Sequence, residues 1–208
     1  VAAKVNGFLL VGQPYFKCLS IYEKIVICEY ILTLLVDIMI DRKGFRANVG
    51  IILSNCHGQV FWGKRVGQDA WQFPQGGIQK NESHQQAMFR ELHEEVGLKP
   101  DDVEVVGSTE DWLRYRIPKR FIRWKSKPLC IGQKQHWYVL RLKCDDGRVC
   151  LDRDVTPEFE EWKWVDYWHA PQHVVEFKRE VYCKALAELG PLLSKENSTP
   201  PEWVTKYL

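Results

Sequence analysis

No C-x-x-C pair, no H-E-x-x-H and no long apolar run occur in this sequence. Each absence removes a class of function. The seven cysteines (Cys18, Cys28, Cys56, Cys130, Cys144, Cys150 and Cys183) are odd in number and scattered, which argues against both a disulfide framework and a zinc site. Such usage fits a reducing cytoplasm. The histidines show no metal-ligand spacing, and His93 reads as a solvated helix residue. The most apolar stretch, Ile25–Val36, contains Glu29 and falls short of the ~20 residues that a bilayer helix needs. It has neither a basic start nor an A-x-A site after it, so a secretory signal and a membrane partner are not expected. The formal net charge is only +2, so any anionic partner must be met by a local patch.

What is present is ordinary globular material: 208 residues, 45% hydrophobic and 27% charged, enough for one domain with a packed core and short extensions. Regular alternation begins at Met39, so residues 1–38 are read as an N-terminal extension whose presence in the native protein stays open, 39–190 as the domain, and 191–208 as a flexible tail. Strands are expected at Asn48–Leu53, Val60–Lys64, Val103–Ser108, Trp137–Leu142 and Trp162–Val165 from their β-branched and aromatic content. One helix should start at Ser83, with Gln86 completing a capping box, and stop at Gly97, burying Met88, Leu92 and Val96. A second should run from Gln172 to Leu189 with Phe177, Val181, Ala185 and Leu189 facing the core. Strands around two helices imply an α/β sandwich.

The first helix carries Glu91, Glu94 and Glu95 at i, i+3 and i+4. Like charges so spaced lie on one face, and near a helix C-terminus the macrodipole opposes them as well. A bound cation would relieve both. All-oxygen carboxylate donors suit hard divalent ions such as Mg²⁺, or Mn²⁺. The alternative is a solvated acidic face on which Arg90 pairs with Glu94.

The surrounding residues separate these readings. Gly76, Glu82, Arg90-Glu91-Leu92, Glu94-Glu95 and Gly97-Leu98 fall in the spacing that resembles the Nudix box. At roughly 5 to 8% per residue type, the seven glycine, glutamate and arginine positions among these coincide by chance on the order of 10⁻⁸ per starting site. The resemblance implies a Nudix-type α/β/α sandwich with a mixed β-sheet, and a hydrolase of phosphoric anhydrides. By that likeness Glu91, Glu94 and Glu95 ligate metal or help deprotonate water, the Gly76 carbonyl joins them, Arg90 braces the cluster and Glu82 supports the loop. Which glutamate is the base stays open.

Beyond the box, Phe45-Arg-Ala-Asn-Val-Gly50, Trp71-Gln-Phe-Pro-Gln-Gly-Gly77, Trp112-Leu-Arg-Tyr115, Pro118-Lys-Arg120, Cys130-Ile-Gly-Gln-Lys-Gln135 and Thr156-Pro-Glu-Phe159 are similar to the bacterial RNA pyrophosphohydrolases. This likeness implies removal of phosphate from triphosphate or diphosphate 5′ ends of RNA, which starts mRNA decay. It implies no DNA substrate. It adds Glu158 as a further metal ligand, Arg46 and Arg65 at the 5′ phosphates, Tyr115 at the mouth, and Val175, Phe177 and Lys178 as a base-binding surface. A protein activator is compatible with it but not identifiable. The rival activity is hydrolysis of dinucleoside polyphosphates such as diadenosine tetraphosphate. The stretch Trp112–Lys127, with seven basic residues, no acidic ones and four aromatics, suits phosphate tracking and base stacking.

Overall fold

The computed structural model describes residues 39–152 and 156–208; upstream it describes only a two-residue antiparallel pair, Lys4–Val5 with Phe8–Leu9. The apolar stretch Ile25–Val36 and the proposed extension therefore lie outside the described residues, that pair apart. Residues from 38 onward form one compact unit.

Its centre is β1 (Phe45–Ser54), buried along almost its whole length. Around it lie β2 (Val60–Arg65), β3 (Trp71–Gln72), β4 (Gln75–Gly77), β5 (Val103–Ser108), β6 (Leu113–Arg116), β7 (Gly132–Leu142) and β8 (Phe159–Val165). The main path of the mixed sheet runs β8-β2-β1-β7-β5, with β3 on β2, β4 on β1 and β6 on β7. β1 and β7 are parallel, Phe45 opposite Gly132 through Ser54 opposite Arg141, and the other pairs are antiparallel.

Alternation along the central strands feeds two cores. Ala47, Val49, Ile51 and Leu53 of β1, with Phe61, Tyr138 and Leu140, pack with Met88, Leu92 and Val96 of helix α1 (His84–Val96). Ile52, Trp62, Trp137 and Val139 face the other way, toward Val181, Tyr182, Ala185 and Leu189 of helix α3 (Arg179–Leu193). This is the expected α/β/α arrangement. At Gly50 a Cβ would lie 2.6 Å from the Trp137 ring, so glycine there lets the indole cross the strand.

The α1 boundaries follow from chemistry legible in the sequence. Ser83 Oγ accepts from the Gln86 amide at 3.2 Å, Gln86 Oε1 accepts from the Ser83 amide at 2.8 Å, and Gly97 closes the helix with φ 78°. The second helix differs from expectation. Instead of one span from Gln172, a short α2 (Ala170–His173) ends at extended Val174 (φ −70°, ψ 154°), and a 3₁₀ turn at Glu176–Lys178 precedes α3. Two adjacent β-branched valines, Val174 and Val175, disfavour continuous helix. Phe177 therefore leaves the core stripe, whereas Val181, Ala185 and Leu189 stay buried. The segment read as a flexible tail takes two 3₁₀ turns, Glu196–Ser198 and Glu202–Tyr207, and buries Val204 completely. Among the described residues no helix is long and apolar enough to cross a membrane, and Cys56, Cys130, Cys144, Cys150 and Cys183 are free thiols.

Gly50→Ala should overpack the junction between β1 and Trp137 and cost about 1–3 kcal/mol. Urea unfolding should show a lower midpoint with an unchanged slope; an unaltered midpoint would contradict the packing described.

Candidate active site

The loop between β4 and α1 is organised by Arg90. Its Nε and Nη2 donate to the two oxygens of Glu82 at 2.8 and 3.0 Å, Nη1 to Glu91 at 2.6 Å and Glu94 at 3.0 Å, and Nη2 to the Gly77 carbonyl at 2.8 Å. Burial opposes the charge on Glu82, yet Arg90 and the Gln79 amide at 2.9 Å outweigh it and hold that carboxyl below its usual range. Burial likewise works against the guanidinium, but the carboxylates around it keep it firmly protonated.

Glu91 and Glu95 stand one turn apart and each is only 8% exposed. Burial raises the Glu91 carboxyl against the pull of Arg90. Glu95 makes no hydrogen bond with Arg90 and, among the described residues, accepts the Gln75 amide alone, at 3.0 Å. Burial first, then the charges of Glu91 and Glu158, push it well above the carboxylate range. Glu94 is different: more exposed, it packs against Arg90 on the solvent side.

Glu91 and Glu95 open onto one cavity of about 580 Å³. Of the residues singled out in the sequence, Gly76, Glu91, Glu95, Glu158, Arg46, Arg65, Tyr115, Val175, Phe177 and Lys178 line it, whereas Arg90 and Glu94 do not. Glu158 is paired with Arg65 at 2.7 Å. Lys178 donates to Gln72 Oε1 at 3.0 Å, and burial with the nearby Arg65 charge brings its ammonium down to about 8. Tyr115 is buried, and its hydroxyl is pushed upward for that reason.

Two observations bear on a metal. Among the described residues no three Cys, His, Asp or Glu side chains already converge as a ready ligand cluster. The hydrogen bonds explain this, because Arg90, the Gln75 amide and Arg65 each hold one oxygen of Glu91, Glu95 and Glu158 respectively. On the other side, a Cβ at residue 76 would fall on the Glu91 carboxyl group, so Gly76 leaves that carboxyl its place at the cavity wall. A set of hard oxygens with two buried, mutually repelling carboxylates suits a divalent cation.

A cluster of amides escaped the sequence reading. Asn48, Gln72, Gln75 and Gln133 line the cavity, and Gln135 Nε2 donates to Asn48 Oδ1 at 2.7 Å. Amides give no charge or periodicity signal, although all lie within the stretches that carry the resemblance. Arg46 Nε and Gln133 Oε1 are buried without a protein partner.

A family model described as the NUDIX domain matches residues 44–185. An RNA pyrophosphohydrolase of Alkalilimnicola ehrlichii is 63% identical over 155 residues, covering 74% of this chain and 86% of the relative. One of Aliivibrio salmonicida is 58% identical over 154 residues, covering 74% and 91%. In fold, an E. coli dihydroneopterin triphosphate pyrophosphohydrolase aligns with TM-score 0.53 at 19% identity, over 66% of this chain and 92% of that one.

Glu95 titrates above its unfolded value, so it favours the folded state while protonated, and that contribution is lost as pH rises through the raised value. Without divalent ions, thermal stability should therefore fall as pH rises into that range, and Mg²⁺ should restore it there. Glu95→Gln should lessen the fall, leaving the part that Glu91 contributes, and lose most of the Mg²⁺ gain; equal Mg²⁺ shifts in both proteins would refute this account.

Proposed function

The chain belongs to the NUDIX family, and from that premise we propose that it hydrolyses the 5′-terminal triphosphate or diphosphate of RNA to a monophosphate, initiating mRNA decay. The observation that carries the reading is one cavity holding buried carboxylates beside a buried, unpartnered guanidinium nitrogen of Arg46. A polyphosphate needs both: cations for its oxygens and an acidic floor for a divalent ion.

Glu91, Glu95, the Gly76 carbonyl and Glu158 would hold that ion, with Mg²⁺ the preferred occupant and Mn²⁺ a substitute. Glu94 would contribute from the rim once released from Arg90. A divalent ion bound there supplies charge neutralisation at the phosphoryl oxygens and an acidified water. Arg46 and Arg65 bind the phosphates, and Arg90 orients the glutamates without touching substrate. Glu95, on the cavity wall and out of hydrogen-bond contact with Arg90, is the glutamate placed to take a proton from the attacking water. Val175, Phe177 and Lys178 form the surface for the first bases, Lys178 held in place by Gln72. The substrate is RNA rather than DNA, and the setting cytoplasmic.

Incubation of end-labelled triphosphorylated RNA with Mg²⁺ should release pyrophosphate or phosphate and leave a monophosphate end. The ratio of kcat/KM for this RNA to that for diadenosine tetraphosphate should favour RNA. A large excess in the other direction would transfer the assignment to the dinucleotide. Glu95→Gln should lower kcat at least about a hundredfold while RNA binding persists.

A further inference from the structure

Between β6 and β7, residues 117–131 form a loop carrying two exposed aromatic rings, Phe121 at 56% and Trp124 at 61%. With Leu208, they are the most exposed of the large hydrophobic side chains among the described residues. The loop is not slack. Lys119–Phe121 is a 3₁₀ turn, the Trp124 indole donates to the Lys119 carbonyl at 3.3 Å, and the Ser126 amide donates to the Arg123 carbonyl at 2.9 Å. Trp124 is thus pinned by one edge while most of its surface stays open.

These rings continue a series that starts inside the cavity. Tyr115, buried, lies 5.7 Å from Phe177, which lies 6.3 Å from Phe121, at the cavity's edge. Trp124 follows three residues later, outside. Charge runs along the same path. Lys119, Arg120, Arg123, Lys125 and Lys127 are all exposed, the Arg120 guanidinium sits 4.8 Å over the Phe121 ring, and no acidic residue occurs from Trp112 to Cys144. An aromatic series flanked by cations of one sign matches the alternation of bases and phosphates in a single strand.

We infer that the 117–131 loop is a track for the RNA downstream of its 5′ end, with Trp124 as the stacking platform for a nucleotide beyond those held in the cavity. The inference rests on the RNA substrate proposed above and extends it to residues outside the phosphate site. It assigns Trp124 to binding and not to chemistry.

The test compares 5′-triphosphorylated RNAs of two and eight nucleotides with the same 5′ sequence. In the wild type, kcat/KM should be about tenfold higher for the longer RNA, a size set by one base–aromatic stack. Trp124→Ala should bring that ratio close to one through KM, and Trp124→Phe should retain most of it. Arg123→Gln should lower the slope of log KM against log salt for the longer RNA by about 0.7, the value for one phosphate contact on a single strand. An unchanged length ratio in Trp124→Ala overturns the inference, and is also the result if this surface serves a protein. Anisotropy with a labelled 5′-monophosphorylated octanucleotide separates the two proposals, since it needs no hydrolysis. Trp124-dependent binding without triphosphate turnover would sink the proposed activity and keep the track; turnover with undiminished binding by Trp124→Ala would sink only the track.

Discussion

A guanidinium has five N–H donors, and at Arg90 all five are used: two on Glu82, one each on Glu91 and Glu94, and one on the Gly77 carbonyl. The planar fork reaches a loop residue, two helix residues and a strand carbonyl at once. A lysine, a point charge with three donors, could not reproduce that set. The arrangement lets a helix carry clustered carboxylates close to its C-terminus, against both their mutual repulsion and the macrodipole. It also creates an asymmetry: Glu82, Glu91 and Glu94 receive a cation from the protein, and Glu95 does not. The remaining unbalanced charge lies on the cavity side of α1, where substrate would enter.

Much of this geometry was legible because it depends on local chemistry. The Ser83 and Gln86 capping box, the Gly97 stop, the Met88-Leu92-Val96 stripe and the longer strands are all set by neighbours a few residues away. The short strands at Trp71–Gln72, Gln75–Gly77 and Leu113–Arg116 were not legible as strands. The first two are built of tryptophan, glutamine and glycine, all three have too few residues for a period, and they form by pairing with β2, β1 and β7. Carboxylate spacing gave the acidic cluster, but spacing alone did not separate Glu94, turned to solvent and Arg90, from the buried pair Glu91 and Glu95. That separation depends on what packs against the helix.

The break before α3 shows tertiary context shaping the site. A continuous helix would bury Phe177 in the α3 core, as the four-residue periodicity suggested. Extended Val174 and the 3₁₀ turn instead carry Val175, Phe177 and Lys178 to the cavity wall. Val174 is the anchor, itself buried beside the α3 core. The periodicity beyond the break is intact, so a sequence pattern that spans both segments hides the interruption.

The polar lining of the cavity is cross-linked. Lys178 donates to Gln72, whose amide approaches Glu158 at 3.4 Å, and Glu158 pairs with Arg65. This chain ties the start of α3, β3, the end of β2 and the residue before β8 into one network, buried at Lys178 and Gln72 and partly open to solvent at Arg65 and Glu158. Against that background the unpartnered Arg46 Nε and Gln133 Oε1 are exceptions, and a buried orphan costs on the order of 1–3 kcal/mol until a partner arrives. One orphan is a cationic donor and the other an acceptor. A ligand that brings an anionic oxygen to Arg46 and a donor to Gln133 recovers both costs, while one that only fills the volume recovers neither. Selectivity in the cavity thus comes from what the protein leaves unpaired as much as from the charges it displays.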